Sequence, residues 1–186
     1  MRGVLPLTTF HIPRRLRRTI RANPFEIHCD RQFEQVIHAC AAPRERHPET
    51  WINPEICRVF CELYHLGHAH SVEAWRDGKL AGGLYGLALG GAFFGESMFS
   101  IVADASKIAL VHLVARLRMG GFALLDVQFV TEHLRQFGAI EIPATVYLKR
   151  LDDALRLQAR FYGEPPSASL DFALAELLTQ STSQRS

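Results

Sequence analysis

A chain of 186 residues with 48% hydrophobic and 22% charged residues has ordinary globular composition, enough to bury one good core and too little for two large domains. No apolar run approaches the roughly 20 residues of a membrane-spanning helix. The cysteines Cys29, Cys40, Cys57 and Cys61 show neither paired zinc-type spacing nor a preceding secretory signal, so a soluble protein in a reduced, cytoplasmic setting is expected. The net charge of +2 averages over an uneven distribution: Arg14, Arg15, Arg17, Arg18 and Arg21 crowd together while the acids are scattered.

Residues 1–12 read as an irregular or extended lead-in. Pro13 opens a short basic helix over 14–21, which Asn23-Pro24 breaks, and 1–24 together form a basic lead-in. A strand follows over 25–29. Asp30 is placed to cap the next helix, where Phe33, Val36, Ile37 and Cys40 keep helical spacing. A charged, Pro-rich loop over 42–50 precedes a helix that Asn53-Pro54-Glu55 starts and Gly67 ends, with Ile56, Val59, Phe60, Leu63 and Leu66 on one stripe.

Strands over 70–76 and 80–89 flank Asp77-Gly78, the strongest hairpin signal in the chain, and Gly90-Gly91 turns it into a third strand over 92–100. Asp104 is expected to cap a long helix to Arg118 that Gly120-Gly121 closes. An apolar strand over 122–129 then carries Asp126 and Gln128. A helix near 130–137, a short strand over 139–142 and an amphipathic helix over 143–160 complete a domain spanning 25–162. Beyond Gly163 the Pro and Ser content predicts a weakly ordered tail over 163–186. There is no internal repeat. Helix pair, meander, helix, strand, helix, strand is the order of an α+β acyltransferase core of the GNAT type.

Asp126 and Gln128 stand two apart on a strand and are expected to share a face. A buried carboxylate is costly unless paired, so these two either satisfy each other and the backbone or do chemistry. An α-amino group, with a pKa of roughly 8, is already partly neutral near pH 7. A carboxylate that orients such an amine and accepts its proton would therefore suffice for attack on an ester, with Gln128 fixing the carboxylate or the nitrogen. Glu96, among Phe93, Phe94, Met98 and Phe99, either pairs with Lys107 or meets a ligand. Gly95 beside it permits close backbone approach, and splayed strand amides there could stabilise an oxyanion.

Leu84, Phe93, Met98, Leu110, Leu113 and Leu125 read as core by periodicity. Trp51 either stacks on a base or covers the core edge. The arginine cluster is either a solvated helix face or an RNA-backbone contact largely indifferent to sequence. His65, His68 and His70 are not expected to bind metal, because Gly67 ends the helix between them and no nearby carboxylate or thiolate completes a tetrahedron. Cys57 and Cys61 read as buried thiols on a helix stripe.

The runs His70-Ser71-Val72-Glu73, Gly95-Glu96-Ser97-Met98-Phe99-Ser100 and Asp126-Val127-Gln128, in this order and at these separations, resemble the catalytic domain of leucyl/phenylalanyl-tRNA–protein transferases over about residues 2–148. That family moves Leu or Phe from aminoacyl-tRNA onto a protein N-terminus. The resemblance implies Asp126, Gln128 and Glu96 as catalytic residues. It makes Leu84, Phe93, Met98, Leu110, Leu113 and Leu125 the pocket for the transferred side chain, where Met would also fit, and Trp51 the platform for the terminal adenine. It also implies acceptor proteins with N-terminal Arg or Lys, marked thereby for N-end-rule degradation. No cofactor or metal is required, since the tRNA ester supplies the energy and the chain has no P-loop. The family normally has a further N-terminal segment rich in aromatic residues and proline, and this chain is expected to begin after it.

Two alternatives stand beside this reading. An acetyl-CoA-dependent N-acetyltransferase needs a glycine-rich phosphate loop before the long helix, where this chain has Ser100-Ile101-Val102-Ala103-Asp104-Ala105-Ser106. The other is a non-catalytic RNA-binding fragment. Aminoacyl transfer requires an apolar cavity open to solvent, with Asp126 facing it.

Overall fold

The computed structural model describes residues 1–43 and 50–183; most of the expected loop over 42–50, and the last three residues of the expected tail, lie outside the described residues. The organising element is an antiparallel meander of β3 (Ala69–Arg76), β4 (Lys79–Leu89) and β5 (Ala92–Ser100). Asp77 and Gly78 both adopt positive φ, 53° and 70°, as a tight primed turn between strands demands. The meander sits within a seven-stranded sheet of order β2-β3-β4-β5-β6-β1-β7, whose other strands are β1 (Arg2–Val4), β2 (Glu26–Cys29), β6 (Leu124–Gln128) and β7 (Ile140–Ile142). Neighbouring strands run antiparallel except β5 and β6, which are parallel.

Helices cover both faces. On one side α2 (Phe33–Ala41) and α3 (Pro54–His65) bury Phe33, Val36, Ile37 and Cys57 against Ala69, Tyr85 and Phe99. On the other, α4 (Ala105–Met119) packs Leu110, Leu113 and Leu117 onto Leu84, Phe93 and Leu125. A third cluster joins Tyr147 and Ala154 of α6 (Ala144–Leu155) to Leu124 of β6 and Val4 of β1. The remaining helices are α1 (Arg14–Ala22), α5 (Glu132–Arg135) and α7 (Ser167–Ser183).

Two expected caps do different work. Asp30, at φ 57°, turns its carboxylate to the Ser71 N–H (2.7 Å) and His70 Nδ1 (2.8 Å) instead of to α2. Asp104, at φ 67°, makes no side-chain cap and pairs with Lys107 Nζ at 2.7 Å. In both cases the left-handed backbone turns the side chain away from the helix amides, toward a partner that a local pattern does not reveal. Asn53 caps as expected, its Oδ1 accepting from the Ile56 N–H at 2.9 Å.

The lead-in and α7 both pack into the core, contrary to expectation. The lead-in contributes β1, which inserts between β6 and β7, followed by buried Leu5, Leu7, Phe10 and Ile12. In place of a weakly ordered tail, α7 lays Leu170, Ala173, Leu174, Leu177 and Leu178 against the main core. Its stripe has helical spacing, which the flanking Pro165-Pro166 and the Ser-rich end obscure. Ser181 Oγ accepts the Ile12 N–H at 2.9 Å, joining α7 to the lead-in. Leu177→Ala is expected to lower stability by about 2–5 kcal/mol, read by urea denaturation; an unchanged midpoint would show that α7 does not dock.

Candidate active site

The parallel pairing of β5 with β6 lasts for three residue pairs, Ala92–Leu124, Phe93–Leu125 and Phe94–Asp126. Beyond Phe94 the two strands part, although β5 stays paired with β4 as far as Ser100. Opposite Tyr85 stands Ser97, and opposite Gly86 stands Gly95, so Glu96 is the extra residue of a β-bulge. A bulge re-aims side chains. Here it shifts the alternation of β5, so that Phe93 and Met98, five positions apart, both join the α4 side of the sheet.

The parting strands, α4 and α5 enclose a cavity of about 600 Å³. Leu84, Met98, Leu110, Leu113, Leu125 and Val127 give it an apolar wall, and Glu96, Gln128, Ser106 and His133 give it polar points. It reaches solvent past Phe129, which is 77% exposed. Five of the six expected pocket residues thus line one space. Phe93 does not: it lies where β5 and β6 are still paired, fully buried against Phe122 and Phe161 at ring separations of 6.4 and 6.0 Å.

Asp126 also departs from expectation, for it does not face the cavity. Strand alternation sends Leu125 and Val127 to the cavity and Asp126 to the opposite face, where it is 0% exposed. Its carboxylate is saturated there. Arg2 donates from Nε at 3.0 Å and from Nη2 at 2.8 Å, the Tyr147 hydroxyl donates at 2.5 Å, and the Gln128 N–H donates to Oδ1 at 2.7 Å. This overturns the expected direct contact between Asp126 and a substrate amine, and with it the expectation that transfer requires Asp126 to face the cavity.

Gln128 reaches the cavity because the backbone turns left-handed at this last residue of β6. At φ 56° its side chain swings into the gap between β5 and β6. There Nε2 donates to the Gly95 carbonyl at 3.0 Å and lies 3.5 Å from Glu96 Oε2. The amide bridges the strands where their backbone pairing stops, and among the described residues nothing donates to Oε1.

Glu96 does not pair with Lys107, which is held by Asp104. Its carboxyl is held above the ordinary value by burial first and by the nearby Asp126 charge second, with Arg2 pulling the other way. A folded pKa above the unfolded one means that the folded chain keeps a proton the unfolded chain gives up. Stability therefore falls as pH rises from the unfolded value through the raised one and levels off above it. Glu96→Gln is expected to exceed the parent in stability at pH 8, the gain vanishing below about pH 4. Urea denaturation across pH checks this; a gain independent of pH would contradict it.

The remaining expected residues lie apart from the cavity. Trp51 is 55% exposed just ahead of α3. On α1, Arg14, Arg15, Arg18 and Arg21 are exposed, whereas Arg17 is only 8% exposed beside buried Leu16, so the solvent-facing cluster has four arginines. His70 is paired with Asp30 and stacked on Phe161 at 4.3 Å. Among the described residues no group of three or more His, Cys, Asp or Glu is placed to hold a metal.

Some participants gave no usable signal in the sequence. Arg2 meets Asp126 across 124 positions. Tyr147 stands within the amphipathic helix with no neighbouring residue to mark it. His133 brings to the cavity wall an Nε2 that is buried without a partner among the described residues, and burial lowers its pKa. Glu73, the buried acid of the His-Ser-Val-Glu run, accepts from the Ser71 hydroxyl (2.9 Å), the Gln32 N–H (2.8 Å) and Trp75 Nε1 (2.9 Å), and so ties β3 to the start of α2.

Comparison with known proteins places the chain in a family. The family described as Leucyl/phenylalanyl-tRNA protein transferase matches residues 4–152. The leucyl/phenylalanyl-tRNA–protein transferase of Paramagnetospirillum magneticum is 64% identical over 160 residues, covering 86% of this chain and 77% of that protein. That of Phenylobacterium zucineum is 58% identical over 185 residues, covering 97% and 84%, and that of Caulobacter vibrioides is 59% identical over 162 residues, covering 87% and 75%. Matched over residues 4–152 and 58–64% identical to these relatives over most of its length, this chain belongs to the leucyl/phenylalanyl-tRNA–protein transferase family, and is an aminoacyltransferase.

Proposed function

We propose that the protein transfers Leu or Phe, and to a smaller extent Met, from charged tRNA to the α-amino group of proteins beginning with Arg or Lys, marking them for N-end-rule degradation in the cytoplasm. The observation that carries this reading is the apolar cavity of about 600 Å³ with a carboxamide and a carboxylate at the gap between its two strands. The meander, α4 and the parallel return of β6 support assignment of the fold to the GNAT type.

In the reaction the amine nitrogen attacks the ester carbonyl carbon, the bond from that carbon to the ribose oxygen breaks, and one proton passes from nitrogen to the departing oxygen. The esterified side chain sits in the apolar wall. Because Gln128 Nε2 is committed to Gly95, its Oε1 is left to accept from the incoming amine and turn the nitrogen lone pair toward the ester. An amide oxygen is too weak a base to keep the proton. Glu96, whose raised pKa makes it a better acceptor than an ordinary carboxylate, is the group to carry it to the leaving oxygen. The negative charge of Glu96 also suits an acceptor that bears an N-terminal Arg or Lys.

Trp51 offers an exposed face for the terminal adenine, and the exposed arginines of α1 meet the RNA backbone. Replacing Arg14, Arg15, Arg18 and Arg21 together by Ala is expected to weaken tRNA binding and to cut the slope of log affinity against log salt by roughly three. Filter binding across salt measures this, and an unchanged slope would assign the helix to solvent. The deciding experiment supplies labelled Phe-tRNA and an Arg-starting peptide. Label should appear on the peptide N-terminus, and its absence with intact Phe-tRNA would remove the reading.

A further inference from the structure

We propose that Arg2 and Tyr147 are positioning residues for the transfer reaction, acting on Gln128 through Asp126; this rests on the reading of Gln128 given above. Neither residue lines the cavity. Both converge on the opposite face of β6 from distant parts of the chain, Arg2 from β1 and Tyr147 from α6.

The argument starts from the backbone of Gln128. A residue other than glycine at φ 56° keeps that conformation only where its surroundings impose it. Two bonds impose it: the Gln128 N–H donates to Asp126 Oδ1 at 2.7 Å, an Asx-type turn, and the Phe129 N–H donates to the Val127 carbonyl at 2.6 Å, a γ-turn about Gln128. A carboxylate held only by the Gln128 N–H could turn about its own side-chain torsion and let go. Arg2 removes this freedom by reaching both oxygens, with Nε 3.0 Å from Oδ1 and Nη2 2.8 Å from Oδ2, and Tyr147 closes the remaining side of Oδ2 at 2.5 Å. The Arg2 guanidinium in turn lies 5.4 Å from the centre of the Tyr147 ring, so each clamp orders the other.

Pinning the backbone aims the side chain. With its N–H held on one face of β6, Gln128 reaches across the other to the Gly95 carbonyl, which sets the direction of Oε1. Weakening the clamp should leave the cavity and the tRNA surface unaltered while it loosens Oε1. The loss should therefore fall on kcat and spare KM.

The test is a double-mutant cycle on transfer from Phe-tRNA to an Arg-starting peptide. Tyr147→Phe, which removes one hydroxyl, is expected to lower kcat about tenfold with KM for Phe-tRNA changed less than about twofold. In a Gln128→Ala background the same substitution should cost nothing more, because the group it positions is gone. Arg2→Gln should behave like Tyr147→Phe, and Arg2→Lys, which keeps the charge without the fork, should recover part of the loss. If Tyr147→Phe does not fold, the Arg2 variants complete the cycle. Full kcat in the clamp variants, or losses that multiply in the Gln128→Ala background, would overturn the proposal while leaving the role of Gln128 standing. Full kcat in Gln128→Ala alone would instead sink the reading of Gln128 and this proposal with it.

Discussion

Asp126→Ala is expected to destabilise the protein by about 3–5 kcal/mol, because it strips the counter-charge from Arg2 and leaves the buried Tyr147 hydroxyl without its acceptor. Transfer should fall by about a hundredfold or more even under conditions where the variant stays folded. The reason is indirect: Asp126 is 0% exposed and turned from the cavity, but it holds the Gln128 N–H and with it the carboxamide at the strand gap. Asp126→Asn keeps the shape and loses the charge, so its stability should lie between the two. Urea denaturation paired with single-turnover transfer from Phe-tRNA separates the effects. A folded Asp126→Ala protein with parental single-turnover rates would show that neither the carboxylate nor the geometry it imposes matters to the chemistry.

Leu113→Trp should change which amino acid is transferred. Leu113 is 1% exposed and lies on the cavity wall, so the added indole must either enter the cavity or strain α4 against the sheet, at a cost of about 1–3 kcal/mol of stability. If it enters the cavity, Phe, the larger donor side chain, loses more room than Leu. The ratio of kcat/KM for Phe-tRNA to that for Leu-tRNA should then drop by about tenfold to a hundredfold, within the 1–3 kcal/mol that shape selection in an apolar pocket provides. The observable is competition between the two charged tRNAs for one Arg-starting peptide. Equal losses for both would make Leu113 core alone.

These two residues mark how far the sequence could be read. Leu113 needed only helical spacing and a resemblance to be placed on a pocket, and its position on α4 confirms the spacing. The cost of burying a charge marks Asp126 as important without fixing the direction it faces. The assumption that positions 126 and 128 share a face holds only while the backbone stays extended, and Gln128 leaves extended geometry at φ 56°. Phe93, which the resemblance places on the pocket, is core instead, because β5 and β6 are still paired at its position and the cavity opens only beyond Phe94. Asp30 and Asp104 stood before helices, as caps do, but positive φ redirected them to other partners. Composition predicts a weakly ordered tail, although Leu170, Leu174 and Leu177 carry the helical period of α7.

The order of elements from α1 to α6, the hairpin at Asp77-Gly78, the face that α4 buries and the motifs that resemble the transferase family were determined by the sequence itself, because each depends on residues within one or two turns or strand lengths of one another. Only the tertiary structure decided that β1 enters the sheet beside β6, that β5 and β6 part after Phe94, and that Arg2 and Tyr147 meet on Asp126. Of those arrangements, the contact of Arg2 with Asp126 alone joins residues 124 positions apart. No local periodicity encodes such a meeting, since what selects it is the requirement that a buried carboxylate find its donors wherever the packed chain supplies them.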